Sequence, residues 1–295
     1  MIITKDYSGS RLDKFTSNVL NLPHSLTAKL LRKKDIRLNG KRAEISTRLQ
    51  EGDVLEIPDF LKLTPKETRR GEGFISENAL KDFQSRIIYE CDDYLVLNKP
   101  SGLATQGGTG IKVSVDEYLF HINQEYRLVH RLDKETSGVL LIAKSRHSAS
   151  KIGKDFENKN IEKIYIAITH GIPEKPEGII EAKLKRQSFP DAGGISEIKE
   201  DGKESTTHYK VLETFGEYGK IELHLETGRM HQIRVHLASI GCLIVGDSKY
   251  GDVQSEFALK IKPYMLLHAF RIKYDGKEVS APIPSYFLDN ISKFS

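Results

Sequence analysis

Short apolar runs separated by polar turns follow the chain from about residue 87 onwards, a pattern typical of β-strands. The run from Val139 to Ala143 is apolar throughout and follows a glycine, which predicts a buried strand. Residues 163–168 and 220–227 alternate apolar and polar positions, which predicts strands with two unlike faces. Beyond them the apolar spacing becomes helical, and the predicted buried stripe is Met230, Ile233, Leu237 and Ile240.

The first 58 residues have a pattern of their own. Helices are predicted from about Leu12 and from about Ser25, and the second helix places Leu26, Leu30 and Leu31 on one face. Residues 36–40 predict a strand that runs into an Asn-Gly turn, and residues 52–57 predict a turn followed by an alternating strand. These elements indicate a small α+β module.

Residues 61–85 are polar and charged, contain Pro65, Gly71 and Gly73, and show little apolar periodicity, which is typical of a linker. A chain of 295 residues also exceeds the usual size of one domain. We therefore expect an N-terminal domain at 1–58, a linker at 59–84 and a larger domain at 85–295.

Lysine and arginine exceed aspartate and glutamate by 45 − 41 = +4, a small excess that says little about partners. The positive charge is nevertheless concentrated between residues 29 and 42, where Asp35 is the only acid. The basic residues of this stretch are Lys29, Arg32, Lys33, Lys34, Arg37, Lys41 and Arg42. Such a run is either a solvated surface or a site for nucleic-acid phosphates.

The apolar runs are too short for a membrane helix and the N-terminus lacks the pattern of a signal peptide, so we expect a cytoplasmic protein without a membrane partner. Cys91 and Cys242 form no CxxC pair, which argues against a disulfide framework or a zinc cluster. Of His224, His231 and His236, the last two are five residues apart and no acid completes the set, so we expect no metal site.

Asp133 lies in the polar turn HRLDKETSG, directly before the predicted strand at 139–143. Partial burial at a sheet end would favour the neutral acid, so an ionised Asp133 needs a cation nearby. Arg131 is two residues away and need not face Asp133, so a more distant arginine is also required. The alternative is that this turn only hydrogen-bonds its own backbone. The letters RLDK also occur at residues 11–14, where Asp13 is predicted to be a structural residue at a helix start.

Two further segments carry candidate site residues. Lys163 and Tyr165 share the strand face opposite the isoleucines, on the side away from the core, where a tyrosine ring offers a stacking surface for a base. Half-buried packing is the alternative for this tyrosine. In the later helix, His231 and Arg234 lie one turn apart, and the helix start with Arg229 beside it suits a phosphate.

Together these segments resemble the signatures of the RluA family of RNA pseudouridine synthases. The matching strings are HRLD-x-x-TSG at 130–138, K-x-Y at 163–165, TGR-x-HQIR-x-H at 227–236 and NKPSG at 98–102. The resemblance implies three catalytic residues: Asp133 as the nucleophile, Arg234 as its cationic partner, and Tyr165, which stacks on the target uracil and is a candidate acid or base at the ribose. It further implies substrate-binding roles for Lys163, Arg229, His231 and Arg131, the last as the side chain that fills the gap left by a flipped base.

Other family segments are matched less fully or without a catalytic role. Gln106 stands where the family often has a histidine. The strings GDSKYG at 246–251 and LLHA at 266–269 also fit, and we expect both to be structural and to build the sheet behind the site.

Residues 1–58 resemble the S4-like RNA-binding domain in their RLD start, basic second helix, Leu-Asn-Gly turn at 38–40 and Gly-Asp pair at 52–53. The resemblance implies phosphate contacts from Lys29, Arg32, Lys33, Lys34 and Arg37. The fold class that it implies for the whole chain is α+β, with a small N-terminal S4-like domain and a large, mostly antiparallel mixed sheet in the catalytic domain.

The implied reaction converts uridine to pseudouridine in RNA by an aspartate nucleophile and base flipping, with no cofactor and no metal. The S4-like module and the NKPSG segment make the RluC-type enzymes of large-subunit (23S) ribosomal RNA the nearest match. The alternatives are a tRNA pseudouridine synthase, a non-catalytic RNA-binding ribosome-assembly protein and a metal-dependent hydrolase. The modified uridines, the oligomeric state and the first chemical step (attack at C1′, addition at C6 or elimination through a glycal) stay open.

Overall fold

The computed structural model describes residues 1–20, 22, 24–58, 75–108, 111, 113–189, 193–251 and 264–291. The chain divides into two compact units, Met1–Phe74 and Ile75–Ser295. The division falls within the predicted linker at 59–84, of which residues 59–74 lie outside the described residues.

The described residues of the first unit form two helices and a two-stranded sheet. A 3-10 turn at Lys5–Tyr7 precedes α1 (Leu12–Val19) and α2 (His24–Lys33), and β1 (Arg37–Leu38) pairs antiparallel with β2 (Leu55–Glu56). The core of this unit contains Leu12, Phe15, Leu30, Leu31, Ile36, Leu49 and Leu55.

One prediction for α2 is wrong, because Leu26 is 38% exposed and lies outside the core. The buried stripe begins one residue later, at Thr27, and continues through Leu30 and Leu31, which is the i, i+3, i+4 spacing of one helix face. The Thr27 hydroxyl lies 3.1 Å from that of Thr16, so a polar pair joins the two helices where a leucine was expected.

The Asn-Gly turn is confirmed, since Asn39 and Gly40 both have positive φ, 52° and 73°. The Asn39 side chain also reaches the Gly-Asp turn: its amide donates to Asp53 Oδ1 at 2.8 Å, and its oxygen accepts from Val54 N–H at 2.7 Å. The two turn motifs recognised in the sequence therefore contact each other.

The second unit begins with a helix inside the predicted linker. Helix α3 (Glu77–Ser85) starts after Ser76, whose hydroxyl accepts from Ala79 N–H at 3.3 Å. Phe83 is buried and stacks on Tyr118 with ring centroids 4.4 Å apart. The linker prediction fails here because one buried aromatic suffices to attach a short, otherwise polar helix to the core.

Twelve strands of the second unit's described residues form one mixed, mainly antiparallel sheet, as predicted. The order along it is β3-β4-β6-β13-β7-β11-β10-β8-β9, with β5, β12 and β14 paired to β6, β7 and β13. The strands are β3 (Ile87–Glu90), β4 (Tyr94–Lys99), β5 (Arg127–Leu128), β6 (Ser137–Ala143), β7 (Glu162–His170), β8 (Glu177–Phe189), β9 (Gly193–Ile198), β10 (Lys203–Phe215), β11 (Tyr218–Leu225), β12 (Leu243–Ile244), β13 (Leu267–Tyr274) and β14 (Lys277–Ser280). The remaining helices are α4 (Val115–Ile122), α5 (Arg146–Glu157), α6 (Gln232–Ser239) and α7 (Ser285–Ile291).

Strand β6 is buried along its whole length, which confirms the predicted buried strand. It runs parallel to β13, with Gly138 opposite Ala269. Gly138 has φ 104°, and a Cβ there would lie 2.1 Å from the Ala269 carbonyl oxygen. Glycine is therefore required where the candidate catalytic turn enters the sheet.

The alternation in β7 is confirmed, but the expectation that Tyr165 faces away from the core is wrong. Tyr165 and Ala167 pack in the largest hydrophobic cluster, and Ile166 and Ile168 pack in a smaller one on the opposite face. Both faces of β7 pack against other buried residues, so the alternation alone did not show which face points towards the pocket.

The helical stripe is confirmed for Ile233 and Leu237, which are buried in the same large cluster. It is wrong at both ends, because α6 begins at Gln232, after Met230, and Ile240 follows the helix with 38% of its surface exposed. The helix is shorter than the apolar spacing predicts.

Candidate active site

The turn that carries Asp133 is tied to the loop after β4. The Thr105 hydroxyl donates to the Leu132 carbonyl at 2.6 Å and accepts from Leu132 N–H at 3.2 Å. The Ser101 hydroxyl donates to the Glu135 carbonyl at 2.7 Å. Asp133 thus sits on a backbone held from both sides.

Lys99 reinforces this attachment and was missed in the sequence. Its side chain is fully buried, and Nζ donates to the carbonyls of Pro100 at 2.9 Å, Leu103 at 2.7 Å and Lys134 at 3.1 Å. Burial lowers the pKa of Lys99 to about 7, against the attraction of Glu135 and Asp133. The NKPSG string was the available signal, since its lysine directly follows an apolar strand.

Arg234, rather than Arg131, provides the cation beside Asp133. Its Nη1 donates to Asp133 Oδ2 at 3.2 Å across 101 residues of sequence. The Arg234 side chain is 3% exposed and that of Asp133 is 18% exposed, so the pair is mostly shielded from water while one carboxylate edge stays accessible. That edge is available to a substrate.

Asp247 binds the other side of the same guanidinium. Arg234 donates from Nε to Asp247 Oδ2 at 2.7 Å and from Nη2 to Asp247 Oδ1 at 2.6 Å, a two-pronged ion pair. Asp247 is fully buried and also accepts from the backbone N–H groups of Lys249 and Tyr250. The GDSKYG string, expected behind the site, therefore positions Arg234 directly.

The two carboxylates act on the pKa of Arg234. Burial by itself would lower it, but the hydrogen-bonded Asp247 and then Asp133 raise it above its ordinary value. The guanidinium also stacks on the Tyr250 ring, with Cζ 5.1 Å from the centroid. Arg234 is thus a permanent, well-oriented cation.

Tyr165 lies on the wall of a pocket that opens beside Asp133. It is 7% exposed, and burial followed by the charge of Asp133 raises the pKa of its phenol. Among the described residues its hydroxyl has no hydrogen-bond partner. The pocket is lined by Arg131, Leu132, Asp133, Thr136, Tyr165, Leu225, Arg229, His231, Gln232, Ile233, Arg234 and Leu267. Four aliphatic side chains and the Tyr165 ring offer surfaces for a flat heterocycle, and the seven charged or polar residues of the lining can orient it.

Arg131 and Arg229 are the exposed cations of this pocket. Arg229 Nε donates to the Glu204 carbonyl at 3.2 Å, and Arg229 N–H donates to Gln232 Oε1 at 3.0 Å. Gln232 also accepts from the Thr227 hydroxyl at 2.7 Å, so it closes the turn before α6. Both arginines thus present their positive charge to solvent at the pocket.

Lys163 does not line the pocket with Tyr165. Its Nζ lies 5.6 Å from the centre of the Phe156 ring on α5, and burial lowers its pKa. The structure therefore separates Lys163 from Tyr165, although the alternating pattern predicted that both side chains share one face of the strand at the site.

His231 precedes α6 in a left-handed conformation, φ 54° and ψ 22°. Its Nε2 lies 3.7 Å from Asp133 Oδ2, and its Nδ1 lies 2.9 Å from the Tyr250 hydroxyl. His231, Arg234 and Asp133 thus converge, as their placement on neighbouring faces suggested.

The remaining predicted residues are not among the described residues that line this pocket. Gln106 is exposed in the loop after β4. In the first unit, the predicted phosphate-binding residues are all exposed: Lys29, Arg32, Lys33, Lys34 and Arg37. No three His, Cys, Asp or Glu side chains of the described residues are arranged to hold a metal ion. No helix in the described part is long and apolar enough to cross a membrane.

The family model for RNA pseudouridylate synthases matches residues 93–239, a span that includes Asp133, Tyr165 and Arg234 and ends before Asp247. With the mixed sheet and the paired aspartate and arginine in one pocket, this match defines the class of protein. The chain belongs to the family of RNA pseudouridine synthases.

Among its relatives, ribosomal large subunit pseudouridine synthase C of Rickettsia bellii is 40% identical over 303 residues, 97% of this chain and 99% of that protein. The protein of the same name from Vibrio cholerae is 32% identical over 306 residues, 99% of this chain and 95% of that one. The solved human RNA pseudouridylate synthase domain containing 4 has the same fold, with a TM-score of 0.61 and 24% identity over 73% of this chain and 95% of its own.

Proposed function

We propose that this protein converts uridines of large-subunit ribosomal RNA to pseudouridine, with Asp133 as the nucleophile. The observation that carries the proposal is the carboxylate of Asp133, held by a buried arginine at the mouth of a pocket with apolar walls. The names of the curated relatives support the ribosomal substrate. An RNA substrate of this kind implies a cytoplasmic enzyme.

The pocket residues supply what the isomerisation needs. Arg234 orients the nucleophilic carboxylate of Asp133 through a charge-assisted hydrogen bond from Nη1 to Oδ2 at 3.2 Å. Tyr165, Leu225, Ile233 and Leu267 form walls against which the uracil packs after it leaves the RNA stack. Whichever first step operates, the N1–C1′ bond breaks, the uracil turns, and C5 bonds to C1′.

Exposed arginines and the basic first unit would hold the RNA. Arg131 is exposed at the pocket and is suited to occupy the gap left by the flipped base. The S4-like unit would bind phosphates through its five exposed basic residues, which adds affinity without reading sequence. No cofactor is required for these steps, because a carboxylate can cleave a glycosidic bond directly.

The test is the release of tritium from RNA labelled at uracil C5, with Asp133→Asn as the variant. We expect release by the wild type and none by Asp133→Asn, while RNA binding, measured by filter retention, persists. Asp13→Asn is the matched control, since Asp13 belongs to the other RLDK string and ion-pairs with Arg11 on α1. Full activity of Asp133→Asn would contradict the nucleophile assignment.

The substrate class needs a separate experiment. Pseudouridines mapped in total RNA from cells lacking this protein should disappear from large-subunit ribosomal RNA. Loss from transfer RNA alone would favour the tRNA enzyme, and an unchanged map would favour a non-catalytic RNA-binding protein.

A further inference from the structure

Pseudouridine formation ends with the loss of a proton from C5, and this step needs a base. We propose that His231 is that base, its Nε2 accepting the C5 proton once the C5–C1′ bond has formed. The inference rests on the proposed function but applies to each of the three possible first steps. The C5–H bond breaks and its electron pair forms the C5–C6 double bond. The displaced pair moves from the N1–C6 double bond onto N1 or, on the C6-addition route, leaves with the Asp133 carboxylate as its bond to C6 breaks, and N1, freed from the ribose, takes up a proton.

His231 lies where this proton leaves. Its Nε2 is 3.7 Å from Asp133 Oδ2 and lines the same pocket. Asp133 acts on the nucleotide whose C1′ is bonded to C5 at this stage, so C5 and its proton are adjacent to both side chains. A base must come within hydrogen-bond reach of the proton that it removes, and a small movement of substrate or ring provides this.

The backbone and Tyr250 fix the direction of the imidazole. His231 has left-handed φ and ψ, which are uncommon outside glycine, and its ring lies between Asp133 and Tyr250. The Tyr250 hydroxyl accepts from Ser196 N–H at 2.8 Å and donates to the Ser196 carbonyl at 3.1 Å. Its oxygen then accepts from His231 Nδ1–H at 2.9 Å, which leaves the Nε2 lone pair facing the pocket.

The other polar residues that line the pocket are less suited to this step. Arg131, Arg229 and Arg234 are cations without an acceptor lone pair. The amide oxygen of Gln232 already accepts from Thr227 and Arg229.

Apart from Asp133, which serves as the nucleophile, the polar lining is completed by Tyr165 and Thr136, which carry a phenol and a hydroxyl. The raised pKa of Tyr165 makes its phenolate scarce, and an alcohol such as Thr136 is a still weaker base. His231 is therefore the neutral nitrogen base available beside Asp133.

The charges around His231 keep it neutral before the step. Burial lowers its pKa to about 4, with Arg234 and Lys249 lowering it and Asp133 and Asp247 raising it. At neutral pH the ring is thus unprotonated and ready to accept a proton.

The test compares RNA carrying ordinary or C5-deuterated uridine in single-turnover reactions of the full protein. We expect His231→Asn to slow pseudouridine formation about 10²-fold or more, the usual contribution of a general base, and to show a larger deuterium isotope effect than the wild type. Asparagine tolerates the left-handed conformation, so the backbone is preserved. His224→Asn, at an exposed histidine of β11 outside the pocket, is the matched control.

His231→Gly guards against a variant that fails for structural reasons, since glycine accepts the backbone and leaves room for imidazole. Added imidazole should restore part of its rate. An unchanged rate in His231→Asn, or a slow rate without an increased isotope effect and without imidazole rescue, would overturn the proposal. If the wild type itself forms no pseudouridine, it is the proposed function that fails.

Discussion

Arg234 is a buried cation that holds two carboxylates in different ways. Asp247 takes both prongs of the guanidinium and is completely buried, whereas Asp133 takes one N–H and keeps an exposed edge. Asp247 accepts two of the three hydrogen bonds that Arg234 donates to these carboxylates, so its loss would free Arg234 to move and would leave the buried guanidinium with one hydrogen bond, to Asp133.

We therefore expect Asp247→Asn to lower the free energy of unfolding by about 3 kcal/mol or more, the cost of breaking a buried ion pair, and to reduce pseudouridine formation strongly. Urea denaturation and tritium release measure the two effects. Asp82→Asn removes the exposed partner of Arg86 on α3 and should cost less than about 1 kcal/mol. Equal losses of unfolding free energy in Asp247→Asn and Asp82→Asn would show that the buried Asp247–Arg234 pair stabilises the fold no more than an exposed ion pair.

His130 accepts a backbone hydrogen bond, and its titration makes the free energy of unfolding depend on pH. Its Nε2 accepts from Leu141 N–H at 2.8 Å. This side-chain hydrogen bond extends the backbone pairing between β5 and β6 by one position. Burial, and then Lys163, lowers the pKa of His130 to about 3, whereas an unfolded histidine titrates near 6.5. Between these values the unfolded chain binds more protons, so the stability from His130 is complete above about pH 6.5 and is lost as the pH falls towards 3.

Replacement of His130 by glutamine, whose oxygen accepts a hydrogen bond without titrating, should flatten this dependence. We expect the wild type to lose up to about 1.4 kcal/mol per pH unit more than His130→Gln between pH 6 and 4. Unfolding by urea at several pH values measures the difference. Parallel stability curves would mean that His130 does not stay neutral.

At the scale of elements, α3 depends on a single aromatic contact. Its exposed residues are polar, and the stacking of Phe83 on Tyr118 of α4 joins it to the main core. This explains why a segment that looks like a linker belongs to the second unit.

Phe83→Ala should accordingly lower the free energy of unfolding by about 3–5 kcal/mol, the usual cost of deleting a buried phenylalanine ring. The measurement is urea denaturation followed by circular dichroism. Ile88→Ala on β3, where the side chain is 37% exposed, should have a much smaller effect. A small loss for Phe83→Ala would mean that α3 is not anchored by this ring.

At the scale of the whole molecule, the pocket and the basic stretch belong to different units. The second unit contains the complete pocket, and the first presents its basic residues to solvent. Phosphate contacts release bound counterions, so their contribution to affinity depends on salt.

Replacing Lys33 and Lys34 together by glutamine should weaken RNA binding and reduce the slope of affinity against salt concentration by about 2, nearly one for each lost contact. Filter binding at several salt concentrations measures both quantities. Lys5→Gln with Lys14→Gln removes the same charge from other exposed positions of this unit and should leave the slope nearly unchanged. An unchanged salt slope in the Lys33 and Lys34 variant would show that these lysines only face solvent and make no phosphate contacts.

The sequence by itself determined the local elements and the chemical groups. Strand β6, the alternation in β7 and the Asn39–Gly40 turn follow from interactions between neighbours in the chain, so short-range periodicity was enough to predict them. The motifs also identified Asp133, Tyr165 and Arg234 as residues of one pocket. Short-range patterns failed where burial depended on another element, as for Leu26, Ile240 and α3.

Only the tertiary structure decided how those groups are held. Arg234 meets Asp133 across 101 residues and Asp247 across 13, and Lys99 reaches Lys134 across 35. His231 has a left-handed backbone conformation, and its ring lies beside Asp133. These contacts join elements that are distant in the sequence, and local periodicity carries no information about them. Only the folded chain therefore shows which residues contact Asp133 and Arg234.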